Sequence, residues 1–394
     1  MEYKPLGSMV NRKIGYGIVQ PGQSVPDGVP VIKVNNLISG LKSPSELDTT
    51  ARENEAKYSR TRLHGGELIV SVVGTIGKTA IVPKSFAGCN LVRATALIDI
   101  EDELMSKWVK YYFDSPCGQS YIEQNLNTTV QPTLNIKSLV EMPIPIRDTT
   151  EMKKTVLLLS ALDEKIEVNR QINDNLEQQA QAIYHERFET VSPNDLPSEW
   201  RIVTLGEVAT ISNKSFNPLK EPEILLEHYS IPAFDEARFP VFELSTSIKS
   251  NKFIIDASCF MISKLNPTTK RVWKPYCLTG NAVCSTEFIV YKAKDKTITD
   301  FLYSVIDSNS FSDFMCSHVT GSTGSRQRTT PSDTLSYELI LPSEDELAEF
   351  QSLVSPMYAQ IRINAIENDR LKRLRDSLLP KLMSAEIDVS DVQL

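Results

Sequence analysis

The segment Gly74-Thr75-Ile76-Gly77-Lys78-Thr79 ends in the Gly-Lys-Thr of a phosphate-cradling loop. Such a loop needs another glycine five residues before its last one and must open a helix, so that backbone amides and the helix N-terminus face the phosphate. Here that position is Val72, and Thr79-Ala80-Ile81-Val82-Pro83 reads as another strand. The expectation is a β-hairpin whose tip carries Thr75 and Lys78, with no ATP bound. Other catalytic patterns also fail. No dinucleotide-type glycine fingerprint opens a helix after a strand, and no Asn-Pro-Pro-aromatic tetrad is present to hold a flipped base. His64, His185, His228 and His318 lie apart from any Ser/Asp or Cys partner set. Cys89, Cys117, Cys259, Cys277, Cys284 and Cys316 form no Cys-x-x-Cys pair. They read as reduced core thiols, with no metal site.

What remains is a set of cationic and polar side chains at turns between strands. In the first half these are Arg60, Arg62, Thr75, Lys78, Asn90 and Arg93; in the second, Lys264, Asn266, Lys270, Arg271, Arg326, Gln327 and Arg328. Arginine suits bidentate contact with guanine, Asn and Gln suit adenine, and Lys suits phosphates. The formal charge of -8 speaks against a lone, non-specific nucleic-acid binder, which is usually basic. It leaves room for a reader that confines positive charge to a few loops and relies on partners for the rest of the phosphate neutralisation.

The elements that must position these turns are written twice. Leu6-Gly7 matches Leu205-Gly206, "ELIVS" ending at Ser71 matches "CFMIS" ending at Ser263, and "ATALIDI" from Ala94 matches "STEFIVY" from Ser285. Each half is expected to be a mixed α/β (α+β) domain with an irregular sheet, followed by one long helix. In the stretch 151–190, Leu158, Leu162, Ile166, Asn169, Ile172, Leu176, Ala180 and Ile183 recur at steps of three and four. In 343–384, Leu353, Met357, Ile361, Asn364, Leu371, Leu374, Leu378 and Leu382 do the same. Two such apolar stripes are expected to pack on each other as an antiparallel, coiled-coil-like pair with Asn169 and Asn364 in the seam. The predicted divisions are a domain over 1–147, a helix over 148–190, a second domain over 191–342, and a helix with tail over 343–394. With 41% hydrophobic and 23% charged residues the chain has a globular composition. No apolar run approaches membrane length, no secretory signal opens the sequence, and the cytoplasm is expected.

With the repeat, the helices and the turn residues in view, the chain resembles the specificity subunit of type I restriction-modification enzymes over nearly its whole length. The phrases that carry this are "GTIGKTAIVP", "GCNLVRATALI", "ISKLNPTTKRVW", "STEFIVY", the passage from "LPSEW" to "TLGEV", and "LRDSLLPKLMSAEIDV". The resemblance implies two target-recognition domains, each reading half of a bipartite DNA site, joined by two conserved helices. It also implies two methyltransferase subunits docked on the helices and two motor-nuclease subunits that can join them. S-adenosylmethionine and ATP would sit on those partners, and this chain would bind no cofactor and catalyse nothing. One departure is that Leu265-Asn266-Pro267-Thr268-Thr269-Lys270 replaces the "GTIGK" turn. The two half-sites are therefore expected to differ. The competing readings are a protein-interaction scaffold and a DNA-modifying enzyme with unrecognised motifs.

Overall fold

The computed structural model describes residues 2–41, 43–127, 132–192, 194–321 and 327–389. The apolar runs "LIVS" and "CFMIS" become strands buried along their whole length, each at the heart of a four-stranded antiparallel sheet. In the first repeat Leu68–Ser71 lies between Thr95–Asp99 and Thr79–Ile81, with Arg12–Tyr16 on the far side of Thr95–Asp99. In the second, Cys259–Ser263 lies between Phe288–Ala293 and Val272–Trp273, with Ala209–Ile211 on the far side of Phe288–Ala293. The strand order is the same in both.

Two short helices follow each sheet: Glu103–Asp114 and Pro116–Gln124 in the first repeat, Thr299–Ile306 and Asn309–Ser317 in the second. Their starts are written locally. Asp102 accepts from the amide of Leu104, Ser115 from Gly118 just before a proline-led first turn, and Ser308 from Phe311, each satisfying an amide that the helix leaves unpaired. A strand pair then closes each repeat, Glu2–Pro5 with Pro143–Ile146 and Arg201–Thr204 with Glu338–Leu341. The repeats differ in their inserted sheets. The first carries a small three-stranded one, Thr49–Thr50, Val29–Ile32 and Asn90–Leu91, and the second a five-stranded one that includes Leu225–Tyr229 and Ala282–Ser285.

The long helices run Thr149–Tyr184 and Glu344–Met383, the first continuing as a π-type turn over His185–Glu189. Two compact units result, Met1–Lys165 with Arg370–Leu394, and Ile166–Asp369, so each long helix gives one part to each unit. In the first unit Met152, Val156 and Leu159 pack with Leu379, Leu382 and Met383 on a core around Trp108 and Phe113. The Trp108 indole donates to the Pro145 carbonyl at 2.8 Å, so the one polar atom of a fully buried ring is satisfied. In the second unit Tyr184, Phe188, Phe301 and Phe350 form one aromatic cluster, with ring centroids 5.2 to 6.3 Å apart.

The seam differs in detail from its expected face. Ile166 is buried; Leu158, Leu162, Leu176, Ile361 and Leu371 are half-buried; Ile172, Leu353 and Leu374 are exposed. The reason lies at Phe350, Val354 and Tyr358, whose four-residue spacing turns that face of the second helix into the globular core and rolls Leu353 outward. The cysteines are all free thiols, but only Cys89, Cys259 and Cys284 are buried; Cys277 and Cys316 are half-buried and Cys117 is exposed.

Candidate nucleic-acid interface

The hairpin tip of the first repeat is built by one serine. Ser71 accepts from the Lys78 amide at 2.8 Å and donates to the Thr75 carbonyl at 2.6 Å. This closes a loop in which Gly74 and Gly77 take φ of 80° and 83°, a region that favours glycine. A strand pair follows, not a helix. The base of this loop is a junction of three chain segments. Val72 donates to Ala94 at 2.8 Å, Leu134 donates to Val72 at 2.9 Å, and Val73 bridges Thr133. The second repeat makes the same junction. Lys264 donates to Glu287 at 2.9 Å, Thr329 donates to Lys264 at 3.1 Å, and Leu265 bridges Arg328. Asn266, with φ of 48°, stands where Gly74 stands; asparagine is among the residues that best tolerate that region. Ser263 plays the part of Ser71, accepting from Leu265 and donating to the Leu265 carbonyl.

At the first junction Thr75, Lys78 and Arg93 come together on exposed backbone, Arg93 lying beside Ala94 in the turn that meets Val72. Among the described residues the side chains of Lys78 and Arg93 have no hydrogen-bond or ion-pair partner. Arg60 is exposed in a neighbouring 3-10 turn. Arg62 and Asn90 do not join them. Arg62 is bidentate on Glu55 at 2.8 and 2.5 Å, and its hydrogen bonds hold the Glu55 carboxyl below the usual carboxylate range. Asn90 is fully buried, donating to Glu55 and the Tyr58 carbonyl and accepting from Thr61 and the Leu91 amide. An amide spent on four internal partners is a scaffold group, so the structure corrects the expectation that Asn90 faces a ligand.

The second junction holds its cations with carboxylates. Arg328 places Nε and Nη2 on Glu287 at 3.0 and 3.2 Å. Arg271, at the position of Lys78, is bidentate on Asp235 at 2.5 and 2.9 Å. Lys270 donates to the Asp307 carbonyl at 2.7 Å and lies 3.1 Å from its carboxylate. That carbonyl ends the helix Thr299–Ile306, so Lys270 serves as a helix C-terminal cation, a structural task. Burial pushes the Asp307 carboxyl up to about 6. Lys264 and Gln327 are half-buried at the junction, and the Asn266 amide donates to the Gln327 carbonyl at 3.0 Å. Arg326 lies outside the described residues. Sequence reasoning missed Glu287, Asp235 and Asp307, because each lies 36 to 41 residues from its cation and nothing local signals the pairing. No helix among the described residues is long and apolar enough to cross a membrane, and none of their side chains form a metal-holding group.

Comparison with known proteins agrees with this architecture. Residues 2–178 match the family model described as the type I restriction modification DNA specificity domain. The chain is 28% identical over 205 residues to the EcoBI type I restriction enzyme specificity subunit of Escherichia coli, an alignment covering 50% of this chain and 42% of that relative. It is 23% identical over 321 residues to the MjaIX specificity subunit of Methanocaldococcus jannaschii, covering 74% and 71%. Its fold is similar to the crystal structure of a type I restriction-modification S subunit from M. genitalium, with a TM-score of 0.54 and 16% identity over 96% of this chain and 95% of that one. The duplicated sheets, the paired long helices and these matches agree: the chain is similar to the specificity subunits of type I restriction-modification enzymes, with the family model matching its residues 2–178.

Proposed function

We propose that this chain reads DNA sequence as the non-catalytic specificity subunit of a cytoplasmic type I restriction-modification complex. Each repeat reads one half of a bipartite, asymmetric site. Two methyltransferase subunits, holding S-adenosylmethionine, dock on the helical regions, and two motor-nuclease subunits, holding ATP, can join them. The observation that supports this most is the repeated three-segment junction: one backbone geometry occurs twice with different side chains on it. That is what two readers of unlike half-sites need, because backbone fixes where a side chain points and side-chain type fixes which base edge it fits. A 36-residue helix is about 54 Å long, longer than one turn of B-DNA at about 34 Å, which is the basis for proposing an unread gap between the half-sites.

The test is genome-wide mapping of methylated bases in the source cells with and without this chain. The expected result is loss of one two-part, non-palindromic methylation motif when the chain is deleted, together with no methylation or cleavage by the purified chain alone. An unchanged methylation pattern, or robust activity of the isolated chain, would falsify the reading.

A further inference from the structure

The two hairpin tips make the same left-handed turn, and only the second puts a side chain on it. Gly74 takes φ of 80° in the first repeat, and Asn266 takes φ of 48° at the same place. The backbone there is fixed on both sides. The Asn266 backbone amide donates to the Gln327 carbonyl at 3.0 Å, and the Thr269 amide donates to the Asn266 carbonyl at 2.8 Å. The side chain is not fixed. Among the described residues nothing hydrogen-bonds to its carboxamide, and Oδ1 is buried without a donor. An unpaired amide oxygen in a buried place destabilises a fold, and a side chain in the left-handed region adds strain that glycine avoids. Pro267 follows, which presses the residue before it toward extended backbone. The first repeat closes the same junction with glycine, so the turn itself does not require an asparagine. Asn90 is the contrary case, an asparagine whose carboxamide is consumed by Glu55, Tyr58, Thr61 and Leu91.

Resting on the DNA-reading function above, we propose that Asn266 is the adenine-reading residue of the second recognition domain, kept at a tip that would be at least as stable with glycine. The chemistry fits one base. A carboxamide accepts from the N6 amino group of adenine through Oδ1 and donates to N7 through Nδ2, two hydrogen bonds in the major groove. Guanine sets O6 where Oδ1 arrives, so two acceptors face each other. Rotation about the side-chain torsions carries Oδ1 out of its unpaired place. Because no internal hydrogen bond holds the carboxamide, that rotation breaks none. The base then supplies the donor that the protein withholds, while the two backbone hydrogen bonds keep the tip in position and limit the ordering that binding must impose.

The experiment uses the full chain in the complex purified from its own cells, bound to a library of randomised duplexes with the bound fraction sequenced. The melting temperature of each purified chain is recorded alongside. Asn266→Gly is expected to reduce preference for adenine at one position of one half-site roughly ten-fold. The other half-site should be unchanged, and the melting temperature should not fall. Asn266→Asp keeps the size of the side chain but replaces the amide donor with an acceptor, so the same position should shift toward cytosine, whose N4 amino group donates. The proposal is overturned if Asn266→Gly lowers the melting temperature or weakens all duplexes in parallel, which marks a structural residue. It is also overturned if the two variants act on different positions. If the unaltered complex enriches no motif, the DNA-reading function fails; if it enriches a motif that Asn266→Gly keeps, only this inference fails.

Discussion

The two hairpin junctions share a skeleton and differ in how they hold charge. At Val72 and Lys264 the same backbone donors meet the same acceptors, and at Gly74 and Asn266 the chain makes the same left-handed turn. The first junction then presents Lys78 and Arg93 without carboxylate partners, while the second ties Arg328, Arg271 and Lys270 to Glu287, Asp235 and Asp307. The contrast separates two tasks that a recognition domain must perform together. Backbone hydrogen bonds set the position of the tip, and they tolerate wide changes in side chain. The side chains are then free to differ, and the second repeat sets carboxylates beside these cations where the first sets none beside Lys78 and Arg93.

The comparison breaks first if the shared skeleton is not shared in energy. Trp108 and Phe301 fill the same place in their repeats, each fully buried. Trp108→Ala and Phe301→Ala are each expected to cost about 3 to 5 kcal/mol in denaturant unfolding, and tolerance of either one would show that the repeats are built differently. The asparagine cluster of the helix seam should give a smaller effect. Asn364→Leu strands the Asn173 carbonyl and is expected to cost about 1 to 3 kcal/mol, part of which the double variant Asn173→Leu with Asn364→Leu should recover. Additive losses in that cycle would sink the pairing. The contrast in charge is sharpened by alanine at Lys78 and at Lys270. Lys78→Ala should lower the salt dependence of DNA binding by about one charge. Lys270→Ala should leave that dependence unchanged and cost about 1 kcal/mol of stability through the lost helix-end contact; equal salt effects would put Lys270 on the DNA. The smallest effect concerns His228. Burial lowers its pKa against the opposing pull of Glu243, so the folded state favours the neutral ring, and stability should fall as pH drops through about 6.5 toward the depressed folded value. His228→Gln should flatten that acid loss, which a melting-temperature series from pH 7.5 to about pH 5 would show.

Much of the scaffold was legible because it rests on periods and repeats. The strands around Ser71 and Ser263 and both long helices follow from apolar spacing alone. Side-chain pairing across the fold was not legible. Asn90 reads as a turn residue of the kind that faces a base, yet its amide is consumed by Glu55, Tyr58 and Thr61. Tyr111 donates to Asp163 at 2.9 Å in the first unit, while in the second Ser304 meets Tyr358 at 2.8 Å. The tyrosine has changed sides between copies, which spacing cannot reveal because either arrangement keeps the same pattern. Lys270 also looked like a phosphate contact, because sequence gives no sign that a helix ends beside it.

The seam asparagines carry one last consequence. Asn169 and Asn364 hold equivalent places in their helices, but they do not meet. Asn169 donates to Asn368 at 2.9 Å, and Asn364 donates to Asn173 at 2.8 Å. The pairing therefore works as a parity check written twice in opposite directions. If the helices slipped by one turn so that Asn173 met Asn368, Asn169 and Asn364 would both be left buried without their amide partners; a slip the other way would pair Asn169 with Asn364 and strand Asn368. Only one alignment satisfies both copies of the message, so an error in register shows itself as a seam amide without its partner.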